Sequence, residues 1–140
     1  MKYVLGIEYS GADYAGWQIQ GGVRTVQREL ETALSKVANS SISVQCAGRT
    51  DSGVSALKQV VHFISYVNRS TRDWVRGCNA YLPADVSVSW CQQTDDYFHA
   101  RFSAVSRVYR YFIFNRPERS GIYNGWITHI RQPLNESIMH

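Results

Sequence analysis

The chain has little of what marks several whole classes of protein. Its three cysteines, Cys46, Cys78 and Cys91, are odd in number and far apart, which excludes a paired disulfide framework and a CxxC metal site and favours reduced core thiols. No apolar run is long enough for a secretory h-region or a membrane span, since MKYVLGIEYS carries one lysine and then alternates. Internal repeats, low-complexity tracts and disorder-prone composition are missing as well. These absences predict a cytoplasmic globule, and 140 residues suffice for one real core but not for a second full domain.

What is present is aromatic and unevenly basic. The composition is 44% hydrophobic with nine tyrosines and four tryptophans, and 15 Lys+Arg stand against 11 Asp+Glu for a net charge of +4. That net charge favours a polyanionic partner only mildly. Its distribution says more. Arg101, Arg107, Arg110, Arg116 and Arg119 face the single acid Glu118 and are interleaved with Tyr109, Tyr111, Phe112 and Phe114. Guanidinium groups take phosphates and flat rings stack bases, so this stretch suits RNA; a buried strand fringed by surface arginines fits it equally.

Tyr3, Leu5, Ile7 and Tyr9 recur at every second position, with Lys2 and Glu8 opposite, predicting a half-buried first strand. SGADYAGWQIQGG has four glycines and no sustained period, so it reads as a long irregular loop of the kind that more often serves function. Val26, Leu30, Ala33, Leu34 and Val37 then follow helical spacing behind Thr25 as N-cap. Short strands are expected over 42–46 and 60–64. Ser70 with Asp73 opens a second helix whose Trp74, Cys78 and Leu82 form one stripe before Pro83 ends it. Val86, Val88 and Trp90 alternate with Ser87, Ser89 and Cys91. SRVYRYFIFN is apolar on both faces towards its end, as a central strand would be. The order predicts an α+β fold, a ferredoxin-like split βαβ lobe whose antiparallel sheet carries both helices on one face, with one strand added. The other sheet face is left for RNA or for packing. In QPLNESIMH, Asn135 caps a helix that stops within about one turn, which suggests a truncated chain.

Asp51, in CAGRTDSGV, supports three readings. The plainest is a turn, its carboxylate bonding nearby amides and Gly53 taking a positive φ. DSG is also the triplet of dimeric aspartic proteases, but such a dyad keeps one acid protonated, whereas Arg49 would hold this one ionised, and two helices do not suit an all-β scaffold. Third, Asp51 is a lone ionised nucleophile or base in a basic cleft that accepts nucleic acid. His62 in QVVHF and His99 in FHAR read as satisfied core residues, with no third partner for a triad.

YSGADYAGWQIQ, TVQRELETAL, GRTDSGV, QVVHF, NAYLPADV, FHARFSA and RVYRYFIFN, in that order, resemble the N-terminal half of the tRNA pseudouridine synthase A family. The resemblance implies a homodimeric enzyme free of cofactor and metal, each subunit having two ferredoxin-like lobes, which isomerises uridine in the tRNA anticodon stem-loop. It implies that Asp51 is the catalytic nucleophile, that Arg49 enters the RNA stack as the base is flipped out, and that Tyr109 stacks beneath the uracil. Arg107 and Arg110 are expected to bind substrate. Residues 1–115 are then the catalytic-aspartate lobe and 116–140 a connector with the start of a truncated second lobe. Two departures stand out: Ser55 replaces the family's usual histidine, and Val108 an arginine found in many members. A non-catalytic RNA-binding module is the alternative from another class.

Overall fold

A computed structural model describes residues 1–139. Contacts divide the chain into two units, Met1–Arg107 and a second from Val108 onward.

The first unit is built on β1 (Lys2–Tyr9), α1 (Val26–Ala38), β2 (Gln45–Cys46), β3 (Ala56–Ile64), α2 (Thr71–Tyr81) and β4 (Val86–Thr94). The sheet order is β2-β3-β1-β4, with every neighbouring pair antiparallel. The alternation of β1 drives this arrangement. Tyr3, Leu5, Ile7 and Tyr9 are all buried against Leu30 and Leu34 of α1 and Trp74 and Cys78 of α2, so both helices cover the same sheet face. Tyr3, Phe63 and Trp74 pack as an aromatic trio, with ring centroids 4.9–5.5 Å apart. The α2 capping box forms as expected: Ser70 Oγ accepts from Asp73 N–H and the Asp73 carboxylate from Ser70 N–H. At α1, Thr25 takes the N-cap position with extended backbone, but its hydroxyl makes no capping bond.

Several expectations need correction. The strand over 42–46 shrinks to Gln45–Cys46 because α1 side chains take its donors: Ser35 Oγ accepts from Ile42 N–H and Glu31 Oε1 from Val44 N–H, each at 2.9 Å. Trp90 does not share a face with Val86 and Val88. A bulge shifts the register between Gly6↔Trp90 and Ile7↔Val88, and one extra residue reverses the side-chain phase. The indole therefore lies over Gly6 on the far face, where a Cβ would collide with it. That face is also not left wholly free. Residues 98–100 cross it, with Ala100 N–H donating to His62 Nδ1 at 3.1 Å and Lys2 Nζ to the Phe98 carbonyl at 2.9 Å. His62 is accordingly a buried, satisfied residue, as its apolar strand context suggested.

The added central strand over 106–115 is absent. Of that stretch only Ile113–Asn115, β5, is a strand, and it pairs in parallel with β6 (Thr128–Ile130) in a separate two-stranded sheet. A strand apolar on both faces needs cover on both. Tyr109, Tyr111 and Phe112 instead remain exposed among the described residues. Asn135 does cap a single turn, Glu136–Ile138, accepting from Ser137 N–H.

Candidate functional site

Asp51 opens a β-turn closed by Val54 N–H donating to the Asp51 carbonyl at 3.1 Å, with Gly53 at the third position and φ 81°. A positive φ there is the demand that selects glycine. Several backbone groups of this loop are held from outside it. Gln59, a buried amide at the start of the strand's covered stretch, brackets Gly48 by donating to its carbonyl and accepting from its N–H. Thr50 offers its carbonyl to Trp17 N–H at 3.0 Å and its hydroxyl to Tyr9 Oη at 2.7 Å. Gly53 N–H and Ser52 Oγ both donate to the Tyr14 carbonyl, and Ser55 Oγ accepts from Gly11 N–H at 3.0 Å. Ser55 is thus a fastening for the facing loop.

The glycine-rich loop supplies that fastening surface. Gly16 has φ 95°, and a Cβ on it would stand 2.8 Å from the Thr50 carbonyl oxygen; one on Gly11 would meet the Val54 carbonyl. The two loops therefore touch backbone to backbone, a contact only glycine permits. The result bears on the plain turn reading of Asp51. The turn is real, yet its carboxylate accepts no hydrogen bond and joins no ion pair among the described residues, and the side chain is exposed. The main chain around it is fixed while the two carboxylate oxygens stay open to an incoming group.

Basic residues gather at the base of the same loop. Arg49 is exposed. Arg107 donates from Nε and Nη2 to the Ala47 carbonyl at 2.9 and 2.7 Å, and from Nη2 to the Arg101 carbonyl at 2.9 Å, leaving Nη1 without a hydrogen-bond partner among the described residues. Burial pushes the Cys46 thiol up while the positive charges of Arg49 and Arg101 pull it back, which puts both cations within electrostatic reach of Cys46. His99 organises the neighbouring lip. Its Nδ1 accepts from Arg101 and Phe102 N–H, its Nε2 meets Gln45 Oε1 at 2.6 Å, and its ring stacks on Phe102 at 4.3 Å. Burial first, then the charges of His99 and Lys2, hold His62 behind it at about 4, against an ordinary 6.5.

The structure thus brings Asp51, Arg49 and Arg107 onto one loop and its base. Tyr109 and Arg110 belong to the second unit, both exposed and without a hydrogen-bond partner among the described residues. No group of three His, Cys, Asp or Glu side chains among the described residues is placed to hold a metal ion, and no described helix is long and apolar enough to cross a membrane. Sequence reasoning missed Tyr14 and Gln59, whose roles depend on partners 38 and 11 residues away and leave no local signature.

A family profile described as tRNA pseudouridine synthase matches residues 7–103. Curated proteins named tRNA pseudouridine synthase A are similar along the whole chain: 54% identity over 140 residues in Tolumonas auensis, 52% over 139 in Colwellia psychrerythraea and 54% over 140 in Haemophilus influenzae. These alignments cover 99–100% of this chain but 52–54% of the relatives, so the chain spans about half their length. An aspartate turn clamped by a glycine loop, inside the stretch that the profile matches, gives the assignment its physical content: the chain belongs to the tRNA pseudouridine synthase family.

Proposed function

We propose that this chain is the aspartate-bearing lobe of an enzyme that isomerises uridine to pseudouridine in the anticodon stem-loop of tRNA. The β1-α1-β2-β3-α2-β4 order with sheet order β2-β3-β1-β4 supports reading it as a ferredoxin-like split βαβ lobe. One observation carries the functional reading: the residues on either side of Asp51, Thr50 and Gly53, are fastened to the facing loop while its carboxylate stays unpaired among the described residues and exposed.

The chemistry needs such a group and little else from this loop. Isomerisation breaks the N1–C1′ bond, turns the uracil, joins C5 to C1′ and releases the C5 proton to solvent. No electron is gained or lost, so the proposed reaction calls for no cofactor or metal. Asp51 either attacks C1′, forming a covalent ester that the rotated base displaces, or removes the C2′ proton to give a glycal that is reprotonated as C5 adds; attack at uracil C6 is a third route. All three use an oriented carboxylate with open lone pairs. Arg49 fills the gap left in the stack by the extruded nucleotide. Arg107, through Nη1, and Arg110 hold phosphates, and Tyr109 supports the uracil from beneath. The working enzyme is a cytoplasmic homodimer.

Asp51→Asn tests this directly. It keeps size and removes the charge, so tritium release from tRNA labelled at uridine C5 should cease while a gel shift with the same tRNA persists. Continued release at the unaltered rate refutes the assignment. Binding by the unaltered protein with no release under any condition favours a non-catalytic RNA-binding module instead.

A further inference from the structure

The turn that carries Asp51 hangs on one atom more than any other. The carbonyl oxygen of Tyr14 takes both Gly53 N–H, at 3.3 Å, and Ser52 Oγ, at 3.2 Å, so its two lone pairs hold the two residues that follow the aspartate. Whatever orients Tyr14 orients that turn. Tyr14 is itself gripped from the far side. Its hydroxyl donates to Asp85 Oδ1 at 2.6 Å, and the Arg24 guanidinium lies over its ring, 4.2 Å from the centroid. Arg24 closes the triangle by forking the same carboxylate, Nη1 to Oδ2 at 3.0 Å and Nη2 to Oδ1 at 3.2 Å, and Glu29 braces Arg24 from α1 at 3.5 Å. The main chain repeats the pattern: Ser10 N–H donates to the Asp85 carbonyl and Ala15 N–H to the Arg24 carbonyl, each at 2.9 Å. A planar fork fixes both the guanidinium and the carboxylate in orientation as well as in distance.

We infer that Asp85 is a positioning residue for the Asp51 turn, acting through the Tyr14 ring and its carbonyl. The catalytic half of this inference rests on the isomerase reading above; the geometric half does not. Its chemistry is suited to steady alignment. Burial and then the Asp85 bond keep the Tyr14 phenol protonated well above its ordinary value, and although burial works against the Asp85 charge, the bonds from Tyr14 and Arg24 prevail and lower it. The Arg24–Asp85 pair is itself partly exposed, with side chains 39% and 26% accessible. Such a pair adds little to global stability. Its consequence is geometric, because a displacement of about 1 Å in a reacting group is enough to cost on the order of a hundredfold in rate.

Three variants grade the effect. Tyr14→Phe removes only the hydroxyl, Asp85→Asn keeps an acceptor for Tyr14 but loses the charge that Arg24 forks, and Asp85→Ala removes both. Amide hydrogen exchange of the chain is read at Gly53, in the turn, and at Leu5, in the centre of the sheet. Exchange at Gly53 should quicken about tenfold or more in Asp85→Ala, less in Tyr14→Phe and Asp85→Asn, with Leu5 unchanged. In a preparation that turns over, kcat should fall in the same rank order by about tenfold or more while KM stays within about twofold. Unchanged Gly53 exchange in all three variants overturns the inference. So does loss of protection at Leu5 along with Gly53, since Asp85 would then support the fold at large, and so does a loosened turn with unchanged kcat. If the complete enzyme containing this lobe makes no pseudouridine, the isomerase reading fails by itself, and the exchange data still uphold or overturn the grip on the turn.

Discussion

Lowering the pH should loosen this lobe through one ring. His62 is buried on β3, and its Nδ1 accepts from Ala100 N–H, so a proton there would both charge a dry site and abolish the bond that seats residues 98–100. Its titration is held near 4 rather than the ordinary 6.5, chiefly by burial and then by the charges of His99 and Lys2. Because the folded chain keeps His62 neutral where the unfolded chain protonates it, stability falls as pH drops from about 6.5 to about 4 and is level above that window. A shift from pH 8 to pH 4.5 then removes about 2–3 kcal/mol. With a urea slope of about 1–3 kcal/mol per molar, the midpoint should move down by about 1–3 M. The lowered carboxylates of Asp73 and Asp85 give up their contributions only below their ordinary 3.8, outside this window. His62→Gln offers an acceptor that cannot ionise, so urea melts of that variant should show a much smaller drop between pH 8 and pH 4.5. Parallel losses in the two proteins would show that another group is responsible.

Other outcomes follow from the same contacts. Gly16→Ala forces a Cβ against the Thr50 carbonyl from a positive φ, and should cost about 1–3 kcal/mol in a thermal melt. Turnover should suffer more than that loss implies, because the strain falls beside Asp51; normal kcat in a folded Gly16→Ala protein would contradict the clamp. Arg107→Ala should lower the slope of log affinity against log salt by about one for tRNA if Nη1 meets a phosphate, and an unaltered slope would count against that contact. Arg49→Ala should slow single-turnover product formation more than it weakens tRNA binding, and equal effects on both would remove its role in base extrusion.

The sequence was most legible where local chemistry and burial agree. β1 declared itself by period two, and Ser70 with Asp73 announced the start of α2, because both signals act over a few residues. Trp90 was misplaced because a bulge of one residue reverses every later side chain without changing the composition. The run from Val108 to Phe112 misled for a different reason: apolar content states that cover is wanted, not that the same chain provides it. At the site, Gly53 marked the turn. Arg107 read as an RNA contact from its neighbours, but most of its donors bind carbonyls of Ala47 and Arg101, the former 60 residues away. Asp85, two residues after Pro83, left no local signature of its role, since its pairing with Arg24 spans 61 residues.

The backbone-to-backbone seam between the glycine-rich loop and the Asp51 turn has one more implication. Contacts made by main-chain atoms cannot be erased by trimming side chains, only spoiled by adding volume. At Gly11 and Gly16 the protein should therefore forgive erosion nearby yet reject any accretion, so that drift in sequence leaves the aspartate's seat intact until something larger than hydrogen is placed beneath it.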